Sequence, residues 1–501
     1  MARPGLGARV AVPSSLIAGL FLVAAAAALT VEAMSAVLVD DQIVWGAIAL
    51  AVFCTGLLLL MSAATGGDGF GLSDWRIGSW SLVWGAFAFG LATITWVGPQ
   101  TGTAAEILPA SILRALWMLA LAMAMLTAGY CAGPYRLAVA HARRAADAVT
   151  GQLTDDIRSP AVPWVLFGIG VTAQLGYALL TSHLGYIGNV AASVTTASGY
   201  SQYLAVAGDC VPLSVAAAAV LAYQTRVTGA WVSLAVLFTG AICAGAIIGG
   251  KTSFVVAILA VIIPRAVIRR RLPAGAVAAA LLFFLLIVIP FNLSYRASAR
   301  GAVTLNTSQA IAAAPAIAGQ VLASDVSPSV VQRSASYLAE RIRTIDSPAI
   351  ILQRTPAQIP YSSPADLVIS PVVNLVPRIL WPGKPILAEG YQVSQEYYHL
   401  PPQVYTSSDV TPEGDLYRHG GWVTLIAGMF LGGCGIRILD EVTDLRRSVR
   451  GAFLIIVLFP DIVQAGSDCA TLLAGIPGYV LLWLAVCALS FRRRAAAAVT
   501  G

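Results

Sequence analysis

The sequence predicts an all-α fold, a polytopic membrane helix bundle of about twelve transmembrane helices with one large extracytoplasmic loop. Three observations lead there. The 501 residues are 58% hydrophobic and only 11% charged, and the mean hydropathy of +0.80 lies far from that of a water-soluble domain. Apolar runs recur from end to end, each near the roughly twenty residues that cross a hydrocarbon core about 30 Å thick as a helix. Arginines gather in alternate short loops, the charge bias that orients membrane helices.

In chain order the runs predict spans near 13–38, 43–64, 80–98, 112–131, 163–183, 204–223, 230–250, 252–268, 275–292, 421–436, 452–466 and 475–491. They divide the chain into N-terminal transmembrane helices over 1–292, a large loop over 293–420 and C-terminal transmembrane helices over 421–501. Placing Arg3 and Arg9 inside puts the loops that carry Arg76, Arg136, Arg143, Arg144, Arg226, Arg269, Arg270, Arg271, Arg437, Arg446, Arg447, Arg450 and Arg492–Arg494 inside as well. The net charge of +6 is thus topological information and not the footprint of nucleic-acid binding. The expected location is the bacterial cytoplasmic membrane, crossed many times. The seven cysteines are scattered, with no spacing that would hold a metal, so neither metal nor cofactor is expected.

Gly245–Phe254, "GAIIGGKTSF", fits the phosphate-binding pattern G-x-x-x-x-G-K-[ST]. That motif works when a strand precedes the glycines and a soluble helix follows in the nucleotide compartment. Here two apolar runs flank it and charge parity puts Lys251 outside, so the match is accidental. Lys251 remains a cation at the tip of an external hairpin, suited to the interface or to an anionic lipid head group. Gly428 and Gly432 in "GMFLGG" make a G-x-x-x-G pattern, read as close helix packing. Arg114, Asp209 and Asp461 fall inside spans, where an ionisable group is costly.

The segment 293–420 holds Arg296, Arg300, Arg333, Arg341, Arg343, Arg354, Arg378, Lys384 and Arg418. Forked guanidinium donors suit pyrophosphate. "VVQRSASYLAERIRTI" reads as a helix lying on the membrane, while "QRTPAQIPYSSP" and "LPPQVYTSSDVTPEG" read as ordered coil fit to cover a pocket. Trp381 and the Tyr397/Tyr398 pair fit either sugar stacking or the aromatic belt at the interface.

"NLVPRILWPGKP", residues 374–385, and "TPEGDLYRHGGW", residues 411–422, carry a resemblance. Together with many spans and a late external loop, they resemble the polysaccharide repeat-unit polymerases of the Wzy type, the O-antigen polymerases. The likeness covers about 245–440 and is specific only in these two strings. One sub-motif departs: Arg378 reaches Gly390 across eleven residues where an Arg followed after ten by Gly is described. The resemblance implies a glycosyltransferase. It would transfer a growing glycan from a polyprenyl pyrophosphate carrier to a second carrier-linked unit on the extracytoplasmic face, with a chain-length regulator as a possible partner besides membrane lipid. Such a reaction asks the protein to neutralise a departing pyrophosphate and to deprotonate a sugar hydroxyl. Arg378 and Lys384 are the leading catalytic cations, with Lys251, Arg296, Arg300 and Arg418 as further substrate-binding cations. Asp415 is the leading base, with Glu413 and His419 competing and His419 also placed to bind substrate.

Three other readings stand beside it. A polyprenyl-phosphate-sugar glycosyltransferase of the GT-C type would use Asp40 and Asp41, but the first external loop is short for that role. An O-antigen ligase-like transferase differs only in acceptor. A transporter would show broken helices and midplane charges, with no evident need for so long a loop.

Overall fold

The computed structural model describes residues 14–65, 75–100, 102–133, 136–181, 201–248, 251–271, 274–291, 315–316, 319–320, 340, 342–376, 380–384, 389–401, 408–464, 466 and 468–494. Helix dominates them. In order they form α1 (Ser14–Ser35), α2 (Val39–Ala64), α3 (Ile77–Trp84), α4 (Pro109–Ala132), α5 (Arg136–Thr150), β1 (Leu153–Ile157), α6 (Val162–Thr181), α7 (Ser201–Gly208), α8 (Cys210–Thr225), α9 (Thr228–Ile248), α10 (Lys251–Arg269) and α11 (Ala274–Phe283). There follow α12 (Asp346–Arg354), α13 (Asp366–Leu375), α14 (Glu389–Glu396), α15 (Pro412–Val442), α16 (Arg450–Gln464), α17 (Cys469–Ser490) and β2 (Phe491–Arg493). Ten helical stretches among the described residues are long and apolar enough to cross a membrane. Each of the twelve expected runs falls on helix among the described residues, but α6 and α16 fall short of that measure: α6 has a shorter apolar stretch, Val162–Tyr177, and α16 has 15 residues.

Two apolar cores organise the bundle. One joins α6, α8, α9, α10, α16 and α17. The other joins α2, α4 and α15 with α12 and α14 from the segment read as a loop. That segment is therefore no tether outside the bundle: Ile345, Ala349, Ile350 and Ile351 are fully buried, and burial of such side chains is worth about 1.5–3 kcal/mol each for the larger ones. Tyr397 and Tyr398 belong to this core too, which corrects both expectations for the pair, since buried rings neither stack on a sugar nor sit in the interface belt. The Tyr397 and Thr355 hydroxyls lie 2.7 Å apart in a hydrogen bond.

The arginine-bearing short loops meet at one end of the bundle, as charge parity requires. Arg143 pairs with Glu441, Arg270 Nη2 donates to the Arg446 carbonyl at 2.6 Å, and Arg450 Nε lies 3.3 Å from Asp155. At the same end β1 and β2 pair antiparallel. Asp440 fastens α15 to the start of α3, accepting from the Ile77 and Gly78 amides at 2.7 and 3.1 Å and from the Tyr130 hydroxyl at 2.8 Å.

The G-x-x-x-G reading needs a correction. A Cβ on Gly432 would meet nothing within 4 Å, and one on Gly428 would meet Leu416. Close approach instead belongs to Gly433, which lies against the Leu126 carbonyl and the Tyr130 amide of α4, and to Gly129, which lies against the Phe430 carbonyl. The pattern was right about small residues and off by one position about the face.

The phosphate-loop string joins two apolar helices, α9 and α10. What precedes its glycines is helix, so the string lacks the strand that the motif needs. Of the charges inside spans, Asp209 sits at the break between α7 and α8, and the Asp461 carboxylate accepts a hydrogen bond from Tyr479.

Candidate active site

The site is made by a break in α15. Thr411 caps this helix, its Oγ1 accepting from the Gly414 amide at 3.2 Å, and Pro412 fills the first position, where a missing N–H costs nothing. The helix runs two turns and breaks at Gly420 and Gly421 before continuing to Val442. Gly421 has φ +68° and ψ −145°, a region essentially closed to side chains. The carbonyls freed by the break find new donors. Ser362 N–H donates to the Arg418 carbonyl at 3.0 Å, and the Thr424 hydroxyl lies 2.6 Å from the Leu416 carbonyl.

This moves a boundary. Thr411–Gly414 ends the stretch read as ordered coil and is a helix start, so Asp415 lies on a buried helical turn and not in an exposed loop. Residues 415, 418 and 419 then share one face. Arg418 Nη2 donates to Asp415 Oδ1 at 2.8 Å and also pairs with Glu389 of α14. The Cys469 amide, at the start of α17, donates to Asp415 Oδ2 at 3.0 Å. His419 Nδ1 lies 2.8 Å from the Asp415 carbonyl and 3.3 Å from its carboxylate. Asp468 completes the group, capping α17 by accepting from the Thr471 amide at 2.7 Å. Asp415, Arg418 and His419 are 1%, 5% and 4% exposed, so each ion here depends on its neighbours.

Chemical roles follow from which lone pairs remain. Both Asp415 oxygens are engaged by donors, a poor arrangement for a base that must accept a substrate proton. His419 holds its Nδ1 proton against Asp415, which leaves Nε2 as the ring's acceptor; Nε2 makes no hydrogen bond to any described residue. Arg418 is shared between two carboxylates and so balances buried charge within the protein. On Glu389, burial raises the carboxyl above its usual range; Arg418 opposes this, and Asp415 and Asp468 add to it. Burial raises Asp468 likewise.

A second ionic layer fastens α12 over this end. Arg354 pairs with Glu106 at 2.8 Å and with His399. Arg343 pairs with Asp346 at 2.9 Å, donates to Gln100 Oε1 at 3.1 Å and lies 6.0 Å from the Trp96 ring. These two arginines, read as pyrophosphate cations, instead join the segment to Glu106, Gln100 and the Trp96 ring of the first half of the chain.

The remaining expected site residues lie apart or outside. Lys384 is buried, its Nζ donating to the Val376 carbonyl at 3.1 Å, a contact that shapes the turn Trp381–Lys384. Trp381 is 41% exposed, free for stacking. Arg378, Arg296 and Arg300 lie outside the described residues, as do most of "VVQRSASYLAERIRTI" and the Lys251 side chain. Sequence reasoning missed Glu389, Asp468 and the Cys469 amide, which reach the site only through tertiary packing. The signal for the rest was there: Thr-Pro-Glu is a helix start, and reading it so sets Asp415, Arg418 and His419 at i, i+3 and i+4.

Among the described residues no group of acidic, histidine and cysteine side chains is arranged to hold a metal. No curated protein and no solved structure matches the chain. Residues 173–444, a little over half of it, match the family described as the domain of unknown function DUF8712, a match that takes in α7 to α15 and most of the buried ionic group. The chain therefore belongs to the DUF8712 family.

Proposed function

We propose that the chain is a membrane glycosyltransferase that polymerises polyprenyl-pyrophosphate-linked oligosaccharide units on the extracytoplasmic face of a bacterial cytoplasmic membrane. The observation that carries it is the Asp415–His419 pair, buried at the break in α15, with Nε2 of the histidine uncommitted. Such a pair is equipped to take a proton from a sugar hydroxyl. Asp415 holds the tautomer and steadies the imidazolium that forms, and Arg418 keeps Asp415 ionised within its buried surroundings. The leaving pyrophosphate falls to the arginine of the string that carries the resemblance, Arg378 in "NLVPRILWPGKP". The site stands at the opposite end of the bundle from the β1–β2 pair and the basic loops, in keeping with a lipid-linked substrate presented outside.

Purified protein in lipid nanodiscs, given lipid-linked repeat units without nucleotide, should lengthen them, and a chelator should leave the rate unchanged. Arg378→Ala should lower turnover by about 10²–10³, the usual cost of losing one donor to a developing anion. Arg378→Lys should remain poor, because the charge stays but the planar fork is lost. Elongation at the wild-type rate by Arg378→Ala, or dependence on a divalent ion, would remove this reading. Dependence on a metal would favour the GT-C alternative, in which Asp40 stands on the first turn of α2 and accepts from the Gly98 amide at 3.2 Å.

A further inference from the structure

Helix α13 carries a surface that the rest of its segment does not explain. Val368, Ile369, Val372 and Leu375 are 68%, 54%, 57% and 43% exposed. Their spacing of one, three and three residues sets them along one side of the helix. The other side turns inward: Pro371 is buried and Leu367 packs against the core of α2, α4 and α15. Leu380, 76% exposed, and Trp381 follow directly. Contiguous aliphatic surface of this kind is uncommon facing water and marks a surface that something covers.

Its neighbour identifies the cover. Helix α13 packs along α17, a helix apolar and long enough to span the membrane, whose outward residues Leu473 and Leu481 are 49% and 67% exposed. On a spanning helix such residues face hydrocarbon, so the stripe on α13 adjoins a lipid-facing surface. Between Asp366 and Arg378 the sequence has no charged residue. Backbone groups at the ends of α13 are met locally: the Asp366 amide donates to the Ser363 carbonyl at 3.0 Å, those of Val368 and Ile369 donate to the Ala365 carbonyl at 3.0 and 2.9 Å, and that of Val376 donates to the Val373 carbonyl at 3.2 Å. Local hydrogen bonds at the ends of a short apolar helix lower the cost of entering a bilayer without spanning it.

We infer that α13 is a re-entrant element seated in the acyl-chain region of the bilayer, its stripe covered by lipid. The consequence is positional: the Pro-rich string that follows starts at the membrane surface, where a lipid head group lies. The inference does not depend on the glycosyltransferase reading.

The test uses the full chain with its cysteines unchanged. Benzoylphenylalanine is placed singly at 368, 372, 363 and 481, and the protein is irradiated in nanodiscs of dioleoyl phosphatidylcholine and phosphatidylglycerol. Mass spectrometry should find phospholipid adducts at 368 and 372 comparable to those at 481, and none at 363. Adducts at 481 but not at 368 or 372 would overturn the inference. So would a cross-link from 368 or 372 to a peptide of the same chain, which assigns the cover to another segment, or to a second copy, which makes the stripe a dimer contact. Because the stripe is exposed, the larger side chain has room, and a monodisperse gel-filtration profile shows that each variant folds.

Discussion

At the level of single residues, the division of labour between Asp415 and His419 is the most exposed to experiment. His419→Ala removes the acceptor nitrogen and should lower elongation by about 10²–10⁴, the usual contribution of a positioned base. Asp415→Asn leaves the backbone carbonyl that accepts from Nδ1 but removes the carboxylate charge that steadies the imidazolium, so turnover should fall while binding of carrier-linked substrate changes little. An Asp415→Asn enzyme that kept full turnover while His419→Ala also did would locate the base elsewhere. Glu389 makes a second prediction, about acidity. Its carboxyl is raised when folded, so the native state binds a proton that the unfolded chain, with a carboxyl near pKa 4.3, does not. In the interval above about pH 4.3, this group makes stability fall as pH rises. Glu389→Gln removes that contribution, and the plot of thermal midpoint against pH should become less negative in slope than for the wild type. An unchanged slope would mean that Glu389 titrates normally.

At the level of elements, the break in α15 and its crossing with α4 are the features on which the site depends. Gly421→Ala forces a side chain into a backbone region reserved for glycine and should cost about 1–3 kcal/mol, read as a lower thermal midpoint. For the crossing, Gly433→Ala should destabilise by about 1–3 kcal/mol, as overpacking does, and Gly432→Ala should be close to neutral. The reverse order would restore the Gly428/Gly432 face. What the sequence discloses at this scale has a physical limit. Apolar runs report burial in lipid or protein, so the apolar helices were legible from them, α15 only from its break onward; α5, an amphipathic helix in a segment read as a basic loop, was not. Helices α12, α13 and α14 were not, because each is too short to read as a span and lies in a segment rich in Arg, Pro and Ser, which masks even the near-complete burial of α12. The site was half legible for a related reason. Asp415, Arg418 and His419 are neighbours along the chain, whereas Glu389 and the Cys469 amide become neighbours only when α14 and α17 pack. Arg343 and Arg354 looked like ligands for an anion because their long-range partners, Trp96 and Glu106, are recognised only after folding.

At the level of the whole molecule, the two cores meet through α15, which holds the buried ionic group at one end and the Asp440 fastening at the other. Charge parity predicts Lys251 and the 293–420 segment outside and the Arg269–Arg271 triplet and both termini inside. A cysteine introduced at 251 should react with an impermeant maleimide in intact spheroplasts, whereas one at 271 should react only after lysis. Labelling of 271 alone in intact cells would invert the bundle and with it the proposed site of polymerisation. The pairing of β1 with β2 has a consequence for biosynthesis. Leu153 leaves the ribosome long before its partner Arg493, so through the insertion of α6 to α17 the first strand waits with an open edge. Such long-range closure is slow and leaves unpaired backbone exposed to wrong partners. Helix α17 is therefore followed at once by the strand that ends this wait.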